Sequence, residues 1–184
     1  MPTHLRVRPL DLTCTALFAG LMILCSWIAL PFPVPFTLQT FALFAALLTL
    51  GGRLGVYSTA VYLLLGAVGF PVFSGFRSGP GVLFDVTGGY LWGMLAAALL
   101  FWALTTLLGD TPTVRAVACL LGLLLCYGLG TAWLMVLYTE SASLRLSAAL
   151  GAYVLPYVLP DLLKLYAAAL LSRRLRPLRG RISL

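Results

Sequence analysis

The sequence predicts an all-α integral membrane protein with six transmembrane helices, and three observations support this fold class. The 184 residues are 61% hydrophobic and 9% charged, and their mean hydropathy of +1.04 lies far outside the range of soluble domains. The apolar runs are long and continuous, which favours helices over the alternating pattern of a membrane barrel. Six such runs form one transmembrane domain over residues 1–184, at approximately 11–30, 37–50, 54–70, 87–108, 112–138 and 150–172.

The first two runs are separated by a proline-rich segment. Run 11–30 follows Arg6 and Arg8 but has no clean small-residue cleavage site after it, so we interpret it as a retained helix and not a signal peptide. The alternating prolines of 31–35 predict extended backbone. Run 37–50 is shorter than the roughly 17–25 residues that span a bilayer. We therefore expect the prolines to dip into the protein and to form the wall of a cavity.

The next three runs are divided by a glycine-rich turn, a long loop and a helix start. Residues 51–55 predict a short turn, after which the third run extends to about residue 70. Loop 71–86 contains Phe73, Phe76 and Phe84, so it is expected to fold back onto the protein as a plug or lid. The fourth run opens at Thr87. A hydroxyl cap followed by Pro112 is typical of the start of the fifth helix.

The distribution of arginine predicts the orientation in the membrane. With both termini cytoplasmic, nine arginines lie on the inner side, against two on the outer side, which is a strong positive-inside bias. Five of the nine follow residue 172, where basic clusters contact lipid headgroups of the bilayer, so the net charge of +7 does not indicate a nucleic-acid partner. The inner set is Arg6, Arg8, Arg53, Arg115, Arg173, Arg174, Arg176, Arg179 and Arg181, and the outer set is Arg77 and Arg145.

The last run contains a carboxylate and the only lysine of the chain, Asp161 and Lys164. Each lone charge would cost roughly 2.5–3.5 kcal/mol in the membrane, but residues three apart on a helix share a face and compensate each other. At about 1.5 Å per residue from Arg173, Lys164 lies about 14 Å and Asp161 about 18 Å into the membrane, against a half-thickness of about 15 Å. The pair is therefore predicted near the midplane, open to the outer face, as a binding site or as a structural ion pair.

The remaining polar side chains exclude most enzymes. The chain has one histidine, His4, and no asparagine, and its four cysteines lie in predicted helices without a C-x-x-C motif. These residues predict no catalytic, metal or cofactor site, and the absence of a P-loop motif excludes ATP hydrolysis by that route. Polar groups predicted near the outer face, each of which also has a structural interpretation as a cap or hydrogen-bond partner, are Thr37, Gln39, Asp85, Thr87 and Tyr90.

Five strings resemble a known family when taken in order along the chain: 33–40 (PVPFTLQT), 50–55 (LGGRLG), 62–73 (YLLLGAVGFPVF), 87–93 (TGGYLWG) and 160–164 (PDLLK). The chain resembles BioY, the biotin-binding S component of energy-coupling factor (ECF) transporters. The resemblance implies a six-helix substrate-capture subunit in the cell membrane of a prokaryote. It also implies a transmembrane coupling protein and two ATP-binding-cassette ATPases as partners, and the missing P-loop agrees with that division of work.

The resemblance also implies site residues. Asp161 and Lys164 match the family's biotin contacts, and Ala16 with Gly20 matches its small-residue interface for the coupling protein. The family's Gly-Pro before Thr-Gly-Gly is replaced by Asp85-Val86, so Arg77 or Asp85 is a candidate for the lid contact. The ring walls are expected to be Phe32, Phe36, Phe73, Phe76 and Tyr90. The full predicted substrate set is Asp161, Lys164, Gln39, Thr37, Tyr90, Thr87, Arg77, Asp85 and Phe73.

Two alternatives stay open at this point. The altered lid permits an S component for a vitamin other than biotin. A membrane scaffold or enzyme with a structural Asp161/Lys164 pair is the second alternative.

Overall fold

A computed structural model describes residues 8–30, 36–138, 151 and 154–175. Its helices are α1 (Pro9–Trp27), α2 (Gln39–Leu50), α3 (Gly52–Val68), α4 (Pro80–Phe84), α5 (Gly88–Leu107), α6 (Pro112–Tyr138) and α7 (Leu155–Arg174). A short antiparallel pair, β1 (Ala29–Leu30) and β2 (Phe36–Thr37), joins α1 to α2, and a 3₁₀ turn covers Ser74–Phe76. The prediction of a helical membrane protein is confirmed, since α1, α5, α6 and α7 are each long and apolar enough to cross a bilayer.

The short helix α2 lies at the centre of the molecule. Its 12 residues contact α1, α3 and α7, and its side chains from Ala42 to Leu47 are at most 1% exposed. An apolar helix of this length is typical of a buried core element, because it cannot span a bilayer unaided. The short apolar run 37–50 of the sequence is therefore a helix that is enclosed by protein and not by lipid.

Two helix ends differ from the predicted bounds. The first helix ends at Trp27 and not near residue 30, because Ala29 and Leu30 pair with Thr37 and Phe36 in the β-ladder. The prolines of 31–35 lie outside the described residues. The turn predicted over 51–55 is reduced to Gly51, whose φ of +87° ends α2, and α3 starts at once.

The lid, residues 71–86, contains the 3₁₀ turn and α4 where the sequence predicts a continuous loop. Its backbone is held by side chains from three helices. From α1, Ser26 Oγ and Trp27 Nε1 donate hydrogen bonds to the carbonyl oxygens of Val72 and Pro71, at 2.5 and 3.0 Å. The indoles of Trp92 on α5 and Trp133 on α6 donate to the carbonyl oxygens of Leu83 and Asp85, each at 3.1 Å. The lid therefore lies fixed against the helices at both of its ends.

The hairpin of α5 and α6 is closely packed through small residues. A Cβ added at Gly93 would lie 2.9 Å from Cα of Cys126, so only glycine permits this approach of the two backbones. One turn away, Gly130 leaves room for the ring of Tyr90, which a Cβ would meet at 2.3 Å. This packing sets the position of Tyr90 and of the neighbouring face of α6.

Candidate functional site

A cavity lies beneath the lid, between the N-terminus of α2, the middle of α6 and the first half of α7. The space between these elements measures about 740 Å³ when the open mouth is included. Aromatic rings dominate its walls, and they come from β2, the lid, α5, α6 and α7: Phe36, Phe73, Tyr90, Tyr127 and Tyr157. Such a lining suits a compact ring system that is apolar over most of its surface.

The polar end of this cavity comes from one narrow stripe of α7. Tyr157, Asp161, Lys164 and Ala168 are its buried residues, and their spacing of four, three and four places them on one face. The other faces of α7 carry exposed apolar side chains such as Leu159 and Leu163. Pro160 has no N–H to donate, so one backbone hydrogen bond is missing beside Asp161.

The Asp161 carboxylate accepts three side-chain hydrogen bonds. Oδ1 accepts from Thr40 Oγ1 and from Lys164 Nζ, each at 2.8 Å, and Oδ2 accepts from the Tyr127 hydroxyl at 2.5 Å. Thr40 is the second residue of α2, so the negative charge lies at the positive end of that helix. A carboxylate has about four acceptor positions, which leaves one for a ligand.

The Lys164 ammonium is held by three elements. It donates to Asp161 Oδ1 at 2.8 Å and to the carbonyl oxygen of Thr37 at 2.6 Å, and it lies 3.7 Å from the ring centroid of Phe36. Side-chain exposures of 8% for the lysine and 5% for the aspartate show that both charges are buried. An ammonium has three donors, so two are paired with oxygen and the third direction is available beside the Phe36 ring.

Gln39 connects the cavity to the lid. Its Oε1 accepts a hydrogen bond from Thr37 Oγ1 at 2.7 Å, and its Nε2 donates to the hydroxyl of Tyr62 at 2.5 Å. The Tyr62 ring in turn meets Phe73 edge to face, with centroids 5.6 Å apart. Phe73 is 1% exposed and fills a notch at Gly66, where an added Cβ would lie 2.1 Å from the ring. The lid is thus anchored on α3 through Phe73.

The mouth of the cavity is crossed by an ion pair within the lid. Arg77 Nη1 donates to Asp85 Oδ2 at 2.7 Å, and Nη2 donates to Thr87 Oγ1 at 3.1 Å. The backbone N–H of Val86 donates to Asp85 Oδ1 at 2.7 Å. This hydrogen bond, followed by the hydrogen bond and the charge of Arg77, holds the pKa of Asp85 below its ordinary value.

The family model described as the BioY family matches residues 1–181, which is almost the whole chain. The chain belongs to the BioY family.

Relatives in this family share sequence over most of their length. The biotin transporter BioY of Thermotoga maritima is 37% identical over 163 residues, which cover 88% of this chain and 93% of that protein. The probable biotin transporter BioY of Pyrococcus horikoshii is 34% identical over 168 residues, 90% of this chain and 96% of that one. The resemblance drawn from the five sequence strings is therefore confirmed.

A solved structure shares the fold. It is the crystal structure of an S component for biotin from an ECF-type ABC transporter, with a TM-score of 0.77, 24% identity, and coverage of 91% of this chain and 90% of that one. The helices of this BioY-family chain are thus arranged in the S-component fold.

The structure brings together most of the predicted substrate residues. Eight of the nine line the cavity, and the exception, Asp85, reaches it only through Arg77. Phe76 does not line the cavity: it is 62% exposed and packs against Trp27, with ring centroids 5.0 Å apart. Phe32 lies outside the described residues. On α1, Ala16 is exposed, and a Cβ added at Gly20 would meet nothing within 4 Å.

Among the cavity residues that sequence reasoning missed, three matter most for the site: Thr40, Tyr127 and Tyr157. Thr40 is the last residue of the string 33–40, and its position beside Gln39 in the first turn of α2 could have indicated that it lines the cavity. Tyr127 and Tyr157 lie in apolar helices, where an aromatic residue is ordinarily a packing residue, so the sequence carried no signal for them.

Proposed function

We propose that this BioY-family chain is the high-affinity biotin-capture subunit of an ECF vitamin uptake transporter. Its family consists of transport components and not enzymes. We place it in the cell membrane of a prokaryote, as the partner of a transmembrane coupling protein and two ABC-type ATPases that supply energy. The observation that carries the proposal is the buried, compensated Asp161/Lys164 pair in the wall of a cavity lined by aromatic rings.

The chemistry of biotin fits the unused positions of this pair. The ureido group has two N–H donors and one carbonyl acceptor. Asp161 accepts one ureido N–H at its remaining acceptor position, and Lys164 donates to the ureido oxygen from its direction beside Phe36. Thr40 and Tyr127 hold the carboxylate in place for this contact. The apolar thioether ring then lies among the aromatic walls.

The lid encloses the bound biotin. Capture at about nanomolar concentration requires ~12 kcal/mol, or ~0.8 kcal/mol for each of about 16 heavy atoms, which demands nearly complete burial of the ligand. Phe73 and Tyr90 cover the ring from the lid and from α5. The biotin tail carboxylate extends toward Arg77, which lines the mouth and already binds a carboxylate, that of Asp85. Thr37, Gln39 and Thr87 complete the polar contacts of the site.

The proposal also includes the orientation of the chain in the membrane. We infer six membrane crossings with both termini cytoplasmic, in which α2 and α3 each make one crossing within the protein although each is shorter than α5 or α6. The arginine distribution favours this orientation. The exposed side of α1 around Ala16 and Gly20 is then the contact surface for the coupling protein, because small side chains permit close helix approach.

Ligand retention tests the proposal directly. The purified chain in detergent should retain labelled biotin through gel filtration and should show a thermal shift with biotin. Thiamin and riboflavin should produce neither effect. A shift with one of these two vitamins, and none with biotin, would assign the chain to a different vitamin. Retention of no vitamin by a folded chain would favour a scaffold with a structural ion pair.

A further inference from the structure

A second cavity, which shares no lining residue with the biotin site, lies between the start of α6 and the end of α7. It has a volume of about 1090 Å³, including the part that is open to the surroundings. The groove exists because α6 packs mainly on α5 while α7 packs mainly on α2, so the two helices diverge at this end. Its walls are apolar along most of their length, with Leu120 on α6 and Leu162 and Ala169 on α7.

The open end of the groove carries a guanidinium that has no counterion within the described part of the chain. Arg115 lines the groove, but it forms a two-armed ion pair with Asp110, at 2.5 and 2.6 Å, so its charge is compensated. Arg173 lines the same end, is exposed, and is in no salt bridge of the described residues. The groove therefore combines an apolar trough with one net positive charge at its end.

The length of the trough matches one leaflet of a bilayer. Leu162 and Arg173 are eleven residues apart on α7, which corresponds to about 16 Å along the helix at about 1.5 Å per residue. The hydrocarbon half-thickness of a membrane is about 15 Å. An acyl chain that runs from the headgroup level to the midplane would thus extend along the whole trough, with its phosphate at the level of Arg173.

We propose that this groove binds one anionic phospholipid. Its phosphate pairs with the Arg173 guanidinium, and an acyl chain lies between α6 and α7 against Leu120, Leu162 and Ala169. A phosphate is preferred because guanidinium and phosphate form paired hydrogen bonds. An anionic headgroup such as that of phosphatidylglycerol has no ammonium that would compete with Arg173 for the phosphate charge, so it is favoured over a zwitterionic one. With both termini cytoplasmic, this is a lipid of the inner leaflet, where anionic headgroups attract basic residues.

Native mass spectrometry of the whole chain tests the site with defined lipids. The protein is released from nanodiscs that contain equal amounts of phosphatidylglycerol and phosphatidylcholine, and retained lipids are counted. We expect one phosphatidylglycerol to be retained preferentially. Arg173→Gln should reduce that retention about fivefold, the effect of one basic residue at a membrane surface, whereas Arg174→Gln, its neighbour outside the groove lining, should leave it within a factor of two. Excess inorganic phosphate should not displace the lipid.

Two further variants test the trough independently of charge. Ala169→Phe on α7 and Ala116→Phe on α6 each place a ring in the groove, so each should lower retention of the acyl chain while the purified protein still elutes as a single folded species. Equal losses from Arg173→Gln and Arg174→Gln would overturn the proposal in favour of a diffuse surface charge. Unchanged retention in both phenylalanine variants would also overturn it. Biotin retention is measured in parallel and is expected to be unchanged, because the groove shares no residue with the biotin cavity.

Discussion

The hydroxyl of Tyr127 on α6 donates a hydrogen bond to Oδ2 of Asp161 on α7. Because α6 and α7 pack mainly on other helices, this bond is a direct polar link between them beside the proposed biotin cavity. Oδ1 of the same carboxylate is bonded to Thr40 on α2. Asp161 is therefore fixed by three helices before any ligand arrives, and the proposed ureido contact is pre-organised.

Replacing Tyr127 with phenylalanine should weaken both the fold and the site. A hydrogen bond to a charged group contributes about 1.5–3 kcal/mol, so Tyr127→Phe should lower the free energy of unfolding by about this amount and increase the Kd for biotin. Tyr166→Phe is the matched control, since Tyr166 lies on α7, is 65% exposed and does not line this cavity. Thermal unfolding and equilibrium biotin binding measure the two effects. If the two variants had the same thermal stability and the same Kd for biotin, Tyr127 would have no role in the site.

The contribution of the Asp161/Lys164 ion pair to stability can be measured separately from its contribution to biotin binding. Lys164→Met leaves the buried Asp161 carboxylate without its cation, which should destabilise the protein by about 3–5 kcal/mol. The double variant Asp161→Asn with Lys164→Met removes the stranded charge and should regain most of that stability, but it should still bind no biotin. Chemical denaturation and biotin retention are measured on both. A folded double variant that retained biotin would show that the pair is purely structural.

The sequence predicted the helices and the polar end of the site more completely than the lid. Hydropathy located the four long apolar helices α1, α5, α6 and α7. The two charges of α7 had to lie on an inward stripe because their burial in lipid is costly. Tyr127 stayed hidden because hydropathy does not determine the rotation of an apolar helix. Phe73 and Phe76 looked equivalent in sequence, yet the notch at Gly66 buries the first and leaves the second exposed. Such choices depend on tertiary packing, which no local pattern contains.

Filling the notch at Gly66 should open the lid. In Gly66→Ala the new Cβ would lie 2.1 Å from the Phe73 ring, so the ring must leave its pocket. We expect biotin to dissociate at least about tenfold faster, because removal of a buried aromatic anchor costs more than the ~1.4 kcal/mol that corresponds to a factor of ten. Gly81→Ala is the control, since it lies in the lid helix α4 with no atom within 4 Å of its added Cβ. A normal dissociation rate in Gly66→Ala would contradict the role of Phe73 as the lid anchor.

The Arg77/Asp85 ion pair should make lid closure sensitive to acid. The pKa of Asp85 is held below its ordinary value of 3.8, first by the N–H of Val86 and then by Arg77. A carboxyl group with a lowered pKa stabilises the folded conformation of the lid at neutral pH, and that contribution is lost as the pH falls through its folded-state pKa. Biotin dissociation should therefore stay constant from neutral pH to about pH 4 and accelerate below it. Because the pair is about two-fifths exposed, its effect on the dissociation rate should be limited to about fivefold and should decrease with salt.

The variant Asp85→Asn tests this assignment in a stopped-flow pH series. Biotin should dissociate from it faster at neutral pH, and the acceleration in acid should be absent. An unchanged acceleration in acid would assign that step to another group.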